Sequence, residues 1–180
     1  MIETERLILR DWREEDWPRF FSGTNTPAVM RWLGGVLDEE GMAATRARVN
    51  ACHEANGFCF WVVERRADGA ILGFCGLKRA DAPGSSVPGA MEIGWRLRED
   101  AWGQGYAKEA AAACLDHAFG SLDAEQVVAL TVDGNVASWG LMKRLGMTRR
   151  ADLDYIDPRY GVDLNPTIVF SIDAADWQGA

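Results

Sequence analysis

The strand-like run Met91-Glu92-Ile93-Gly94-Trp95-Arg96-Leu97, followed after a short link by Trp102-Gly103-Gln104-Gly105-Tyr106-Ala107-Lys108, decides how this chain folds. Met91, Ile93, Trp95 and Leu97 alternate with Glu92, Gly94 and Arg96, the period of two of a β-strand. Ala107 to Phe119 supplies strong helix formers with small apolar residues along one side, and Gly120 reads as a left-handed stop. Two glycines therefore sit at the start of a helix. That end carries unpaired backbone N–H groups and the positive end of the peptide dipoles, and glycine lets an anion approach them closely. The stretch reads as an anion cradle.

Upstream, Thr4 to Arg10 reads as a first strand, and Asp11 to Phe21 as a turn and short helix with Trp12, Trp17, Phe20 and Phe21 as core material. Ser22 to Gly35 is loop-like, and a second helix covers about Asp38 to Glu54. Phe58 to Arg65 and Ile71 to Arg79 form a hairpin around Asp68-Gly69; a two-residue turn there puts Cys75 opposite Val62 and disfavours a Cys59 to Cys75 bridge. Downstream, Val127 to Val132 is reached through a helical crossover and so pairs in parallel with the Met91 strand. Asn135 is an N-cap for the helix Val136 to Leu145, which Gly146 closes. Strands over about Thr148 to Ile156 and Thr167 to Asp173 finish the chain. These elements make one α/β (α+β) domain over residues 1–180, with a mixed, mostly antiparallel sheet of about seven strands and about four helices.

The 48% hydrophobic and 26% charged content of the 180 residues is that of a globular chain, and no apolar run reaches membrane-spanning length. Without a signal-peptide core at the N-terminus, the expected location is cytoplasmic. Cys52, Cys59, Cys75 and Cys114 form no C-x-x-C pair, so no metal site is indicated. A formal net charge of −8 argues against a nucleic-acid surface and favours cationic partners. Eight tryptophans leave room for an aromatic interface and a possible homodimer.

Spacing excludes a P-loop, because Gly103 and Gly105 are too close together; a dinucleotide fingerprint fails at Lys108, where its third glycine belongs. The chain instead resembles, over nearly its whole length, the GNAT superfamily of N-acetyltransferases, and within it the branch typified by ribosomal-protein N-terminal (Rim-type) acetyltransferases. The residues that carry the resemblance are Thr4-Glu5-Arg6-Leu7-Ile8-Leu9-Arg10, Glu92 to Leu97, Trp102 to Ala107, and Asn135, Ser138 and Leu145-Gly146. Trp102 stands where the general pattern has Gln or Arg, and Met147 where an aromatic is usual. The resemblance implies acetyl-coenzyme A as donor, with its pyrophosphate on the backbone of Gly103, Gln104, Gly105, Tyr106, Ala107 and Lys108. Its pantetheine arm would lie along the strand at Trp95 and Leu97, within reach of Asn135. No metal is implied.

Glu92 is the candidate general base, because amine acetylation needs a neutral amine and a carboxylate of raised pKa can take the proton. The competing reading is a Glu92–Arg96 pair on a solvated face. Ser138 would protonate or hydrogen-bond the departing thiolate, or else satisfy local backbone at its helix start. Cys114 reads as core, His117 as surface and His53 as structural, while Tyr155, Asp157 and Tyr160 are candidates for an acceptor pocket. The reaction expected is acetyl transfer to a primary amine, of a small molecule or a protein N-terminus; a non-catalytic acyl-coenzyme A sensor is the alternative.

Overall fold

The computed structural model describes residues 1–179. Its eight strands are β1 (Ile2–Glu3), β2 (Leu7–Arg10), β3 (Phe60–Arg65), β4 (Ala70–Arg79), β5 (Met91–Leu97), β6 (Gln126–Val132), β7 (Thr148–Arg149) and β8 (Thr167–Asp173). They form one sheet in the order β1-β2-β3-β4-β5-β6-β8-β7. Five α-helices flank it: α1 (Asp16–Thr24), α2 (Pro27–Met30), α3 (Glu39–Asn56), α4 (Tyr106–Gly120) and α5 (Val136–Arg144). Among the described residues no helix is long and apolar enough to cross a membrane.

Every neighbouring pair is antiparallel except β5 and β6, which run parallel because α4 carries the chain across between them. That parallel ladder is short. It pairs Met91, Glu92 and Ile93 with Val127, Val128 and Ala129 and then stops, while β5 continues to Leu97 and β6 to Val132. Beyond Ile93 the two strands part, and the sheet opens into a notch.

One face of the sheet packs on α4 and α5. Ala110, Ala111, Cys114, Leu115 and Ala118 of α4 meet Leu7, Leu9, Trp61, Val63, Leu77 and Ile93, with Leu141 and Met142 of α5 and Leu145 just after it in the same cluster. Small residues on α4 let the helix lie close to the sheet. The other face packs on α1 and α3 through Trp17, Phe20, Val49, Cys59, Val62 and Ile71, with Trp12 stacked on Trp17 at 3.8 Å. Arg10 ties this second layer down: it donates to both oxygens of Asp16 at 2.7 and 2.9 Å and to Glu64 at 2.7 Å.

Several boundaries differ from the sequence reading. The strands number eight because Ile2–Glu3 folds back on β2, and a short helix at Pro27–Met30, capped by Thr26, interrupts the expected loop. Gly120 is the last residue of α4 and not a left-handed stop; the first positive φ after it belongs to Asp123. The β3–β4 connection spans four residues, and a bulge follows at Leu72, so Cys75 lies opposite Trp61 instead of Val62. Cys59 and Cys75 are both free thiols, and the Cys75 sulfur faces Cys114 at 3.7 Å. The strand expected over Thr148 to Ile156 shrinks to Thr148–Arg149, because Arg149 reaches Asp154 and Arg150 reaches Asp152, curling Ala151–Leu153 into a 3₁₀ turn. Only Tyr155 rejoins the sheet, opposite Thr167.

Burial alone would raise the Asp16 pKa, but the bonds from Arg10 and the Arg13 N–H outweigh it and the net direction is down. A depressed carboxylate stabilises the fold above its ordinary pKa of 3.8, and that stability is lost as pH falls through the folded value. Replacing Asp16 by Asn leaves the buried Arg10 guanidinium under-paired and is expected to cost about 3 kcal/mol at neutral pH in urea unfolding. The difference from wild type should shrink in acid.

Candidate active site

Two helix starts face the mouth of the notch. Leu97 leads through a single 3₁₀ turn to Gly105, which caps α4 at φ +84°; Val132 leads through Asp133-Gly134 to Asn135, which caps α5. Gly103 also has positive φ, +72°, with no atom within 4 Å of where a Cβ would stand. The first backbone N–H of this segment to find an acceptor is that of Glu109, on Gly105. Among the described residues the N–H groups of Gly103, Gln104, Gly105, Tyr106, Ala107 and Lys108 are all without one. Six adjacent donors at the positive end of a fifteen-residue helix make a site for a polyanion, and a side chain at Gly103 or Gly105 would both strain the loop and obstruct it.

The cradle is held from below by the chain's opening residues. Glu109, in the first turn of α4, accepts from the Thr4 hydroxyl at 2.6 Å, the Arg6 N–H at 2.8 Å and the Arg6 Nε at 2.6 Å. Arg6 also donates to the Gln104 carbonyl at 2.9 Å and lies over the Tyr106 ring. Trp102 serves the same end, its indole donating to the Leu97 carbonyl at 2.9 Å and so tying the turn to β5.

The edge of β5 that borders the notch can be read from its other edge. Arg98 donates its N–H to Leu72, and the Arg96 carbonyl sits against Gly73, so both turn toward β4. Strand alternation then turns the N–H and C=O of Trp95, and the N–H of Leu97, into the notch, beyond the last rung of the β6 ladder. These are the two positions singled out on this strand from the sequence.

A cleft of about 410 Å³ runs from the notch across the α1/α3 face of the sheet. Glu92, Trp95, Asn135 and Ser138 line it together with Tyr155, Asp157 and Tyr160, whereas Leu97 and Gly103 to Lys108, also selected from the sequence, do not. Asn135 accepts from the Ser138 N–H, which leaves the Ser138 hydroxyl without a partner among the described residues; the local-backbone role of that hydroxyl is not the one observed. Cys114 is wholly buried and burial pushes its thiol pKa well up, whereas His117 stands edge-on to Trp61 and burial pushes its pKa down. His53 lies 3.9 Å from Asp11, away from the cleft.

Glu92 is buried, 9% exposed, and does not pair with Arg96. Its neighbour is Lys78, at 3.1 Å from Oε2, but the contact lacks hydrogen-bond direction and leaves that oxygen a buried acceptor without a donor. Lys78 directs its own hydrogen bond to Asp81. Burial raises the Glu92 pKa, and the Lys78 charge offsets this only in part. Arg96 is buried as well, 7% exposed, with its Cζ 4.4 Å from the centre of the Phe20 ring and 5.4 Å from that of Phe74. Burial, with Arg48 nearby, lowers its pKa to about 10. The solvated Glu92–Arg96 pair is therefore replaced by two separate buried charges. Gly94 between them leaves less room than its lack of a side chain suggests, because the Phe60 ring stands 3.1 Å from where its Cβ would be.

Sequence reasoning missed Lys78, Arg48 and the roof of the cleft. Trp32, just after α2, packs on Gly134 at the start of α5, and Tyr160 packs on Gly34, so residues around α2 span the mouth from both sides. No local pattern in Ser22 to Gly35 signals those contacts, which join segments about a hundred residues apart.

A sheet that parts beside a glycine-capped helix, with a run of unpaired backbone N–H groups at one end and a buried carboxylate at the other, is an arrangement able to bind a polyanionic donor and to handle a proton. Residues 6–148 match the family described as "Acetyltransferase (GNAT) domain". The chain is 34% identical to the uncharacterized protein YkkB of Bacillus subtilis over 81% of its own length and 84% of that protein's. It is 30% identical to the uncharacterized N-acetyltransferase YnaD of the same organism, over 82% of each. Among solved structures, an acetyltransferase from Agrobacterium tumefaciens superposes with a TM-score of 0.80 at 26% identity, over 95% of this chain and 92% of that one. Two more distant structures share the fold: the Vibrio cholerae spermidine N-acetyltransferase in complex with CoA and spermine (15% identity, TM-score 0.74, 96% and 98% of the two chains), and the Vibrio fischeri ribosomal-protein-S5-alanine acetyltransferase (18%, 0.72, 98% and 97%). The chain belongs to the GNAT acetyltransferase family and is an acetyl-coenzyme A-dependent N-acetyltransferase. The non-catalytic sensor considered from the sequence gives way to an enzyme.

A raised carboxylate pKa means that burial disfavours the charged form of Glu92 relative to an exposed glutamate. Its contribution to stability is therefore full below the pKa of the unfolded chain and is lost as pH rises through the folded value. Replacing Glu92 by Gln should raise the melting temperature at neutral pH and leave it nearly unchanged near pH 4, as read by differential scanning calorimetry.

Proposed function

We propose that the cleft accepts a primary amine of a small molecule, and that Glu92 takes its proton as nitrogen attacks the thioester held along the notch. The observation that carries this reading is the buried, under-partnered Oε2 of Glu92 beside the point where β5 and β6 part. The donor supplies an already activated acyl group. The chain's part is to hold it and to move protons. Gly103 to Lys108 hold the pyrophosphate by backbone N–H groups; the Trp95 and Leu97 edge and the Asn135 amide hold the pantetheine arm; the Trp95 N–H faces the carbonyl oxygen as it gains charge. Glu92, directly or through one water, removes the amine proton. Ser138 donates its free hydroxyl to the sulfur as the carbon–sulfur bond breaks.

The run Thr4 to Arg10, one of the stretches on which the likeness to the ribosomal-protein branch rests, supports the donor side: Thr4 and Arg6 brace Glu109 under the cradle. It carries no information about the acceptor. The roof of Trp32 and Tyr160 over the cleft favours a small amine over a protein N-terminus.

Glu92→Gln should lower kcat about 100-fold or more while coenzyme A affinity stays within a fewfold, and kcat/KM of the wild type should rise with pH along an acidic limb set above an ordinary glutamate. A flat pH profile with an active Gln variant would remove Glu92 from the chemistry. Gly105→Val forces a β-branched residue to φ +84°, at about 1–2 kcal/mol, and should weaken acetyl-coenzyme A binding by about tenfold in calorimetric titration. Unaltered affinity would move the pyrophosphate elsewhere.

A further inference from the structure

The charges lining the cleft do not balance in the way the chain's overall acidity suggests. Asp81 and Glu92 both face Lys78, and Asp157 is held by Arg159 at 2.6 Å, so each acid on the wall has a cation beside it. Arg48 and Arg96 are left over, with no carboxylate within ion-pair distance among the described residues. Arg48 is near enough to Arg96 to disfavour its charge. Leaving a guanidinium buried without an anion is costly, and the flat contacts with Phe20 and Phe74 satisfy its face but not its N–H groups.

The unsatisfied groups are specific. Nε and Nη2 of Arg96 are buried without any acceptor, and they form one edge of the guanidinium, the edge that matches the two oxygens of a carboxylate. Its third nitrogen, Nη1, meets only the sulfur of Met30 at 3.1 Å. A thioether is a weak acceptor on a side chain with several rotatable bonds, so Met30 can yield to a better one. Arg96 sits two residues from Gly94 on the same face of β5 as Glu92, which puts base and guanidinium each about 7 Å along the strand from Gly94.

We infer that the acceptor is a small amine that also carries a carboxylate, and that Arg96, with Arg48 beside it, recognises that carboxylate while the amine lies toward Glu92. This rests on the acetyl-transfer reading and narrows it. Met30, Leu33, Phe60 and Phe74 in the same wall suit an apolar body between the two charged ends. A polyamine would meet the Lys78 or Arg159 cation beside each acid on the wall.

The test is thiol release from acetyl-coenzyme A with three acids and their primary amides: L-methionine, L-phenylalanine and 6-aminohexanoate, with spermidine and an alanine-initiated peptide alongside. At least one acid should exceed its amide by about tenfold or more in kcat/KM, mainly through KM. Arg96→Met, which keeps the packing on Phe20 and Phe74, should bring the acid-to-amide ratio of kcat/KM to about one; Arg96→Lys should retain part of the preference. Amides used as well as acids, a preference that survives Arg96→Met, or spermidine or the peptide as best substrate would each overturn the inference and leave acetyl transfer standing. Failure of every amine would sink the transfer reading instead. The carboxylate site is then judged by tryptophan fluorescence, since Trp32 and Trp95 line the cleft. Hexanoate should give a saturable change that hexanamide and the Arg96→Met protein do not; equal responses would overturn it.

Discussion

The parallel ladder between β5 and β6 ends at Ile93 and Ala129, and the rest of the site depends on that early ending. A parallel pair joined by a helix would ordinarily zip to its end and satisfy every backbone group. Here the last residues of both strands stay apart, each held by its outer neighbour: Gly94 to Leu97 by β4, Leu130 to Val132 by β8. The unpaired edge of Trp95 and Leu97 is the result. It is also the reason the starts of α4 and α5 lie at the same opening, since each helix follows directly from one of the parted strands.

The two halves of the site are built from different materials. The donor half is backbone, namely the N–H groups of the Gly103 to Lys108 turn and the strand edge, braced at a distance by Thr4, Arg6 and Glu109. Such a device needs glycine and a fixed loop more than particular side chains. The acceptor half is side chains on one face of β5 and the elements laid over it. Glu92 and Arg96 sit four residues apart there, both buried, each lacking a full complement of partners. Buried charges left incomplete are costly to a fold, and on this account the bound amine and its carboxylate complete them.

What the sequence made legible follows the same division. The strand alternation of Met91 to Leu97, the two glycines before an alanine-rich helix, the Asn135 cap and the Gly146 stop are local patterns, and each appears in the structure where it was read. The face assigned to Glu92 was right, because side-chain direction in a strand is set by period alone. Its partner was not. Lys78 comes from the neighbouring strand β4, directly opposite Glu92, and no spacing within Met91 to Leu97 gives the register between two strands. Arg96, which the competing reading put in a solvated pair, is walled in by Phe20, Phe74 and Met30 from three separate segments, contacts that no spacing within Glu92 to Leu97 encodes. The terminal strand failed for a local reason instead, the Arg149–Asp154 and Arg150–Asp152 pairs that curl the chain away from the sheet.

Amide hydrogen exchange with and without coenzyme A tests the central claim most directly, because the donor half is made of backbone N–H groups. Slowed exchange at Gly103 to Lys108 and at Trp95 and Leu97 on adding coenzyme A, with β1, β2 and β7 unaffected, is the result the notch predicts. Unchanged exchange at those positions under saturating coenzyme A, or protection confined to another surface, would contradict it.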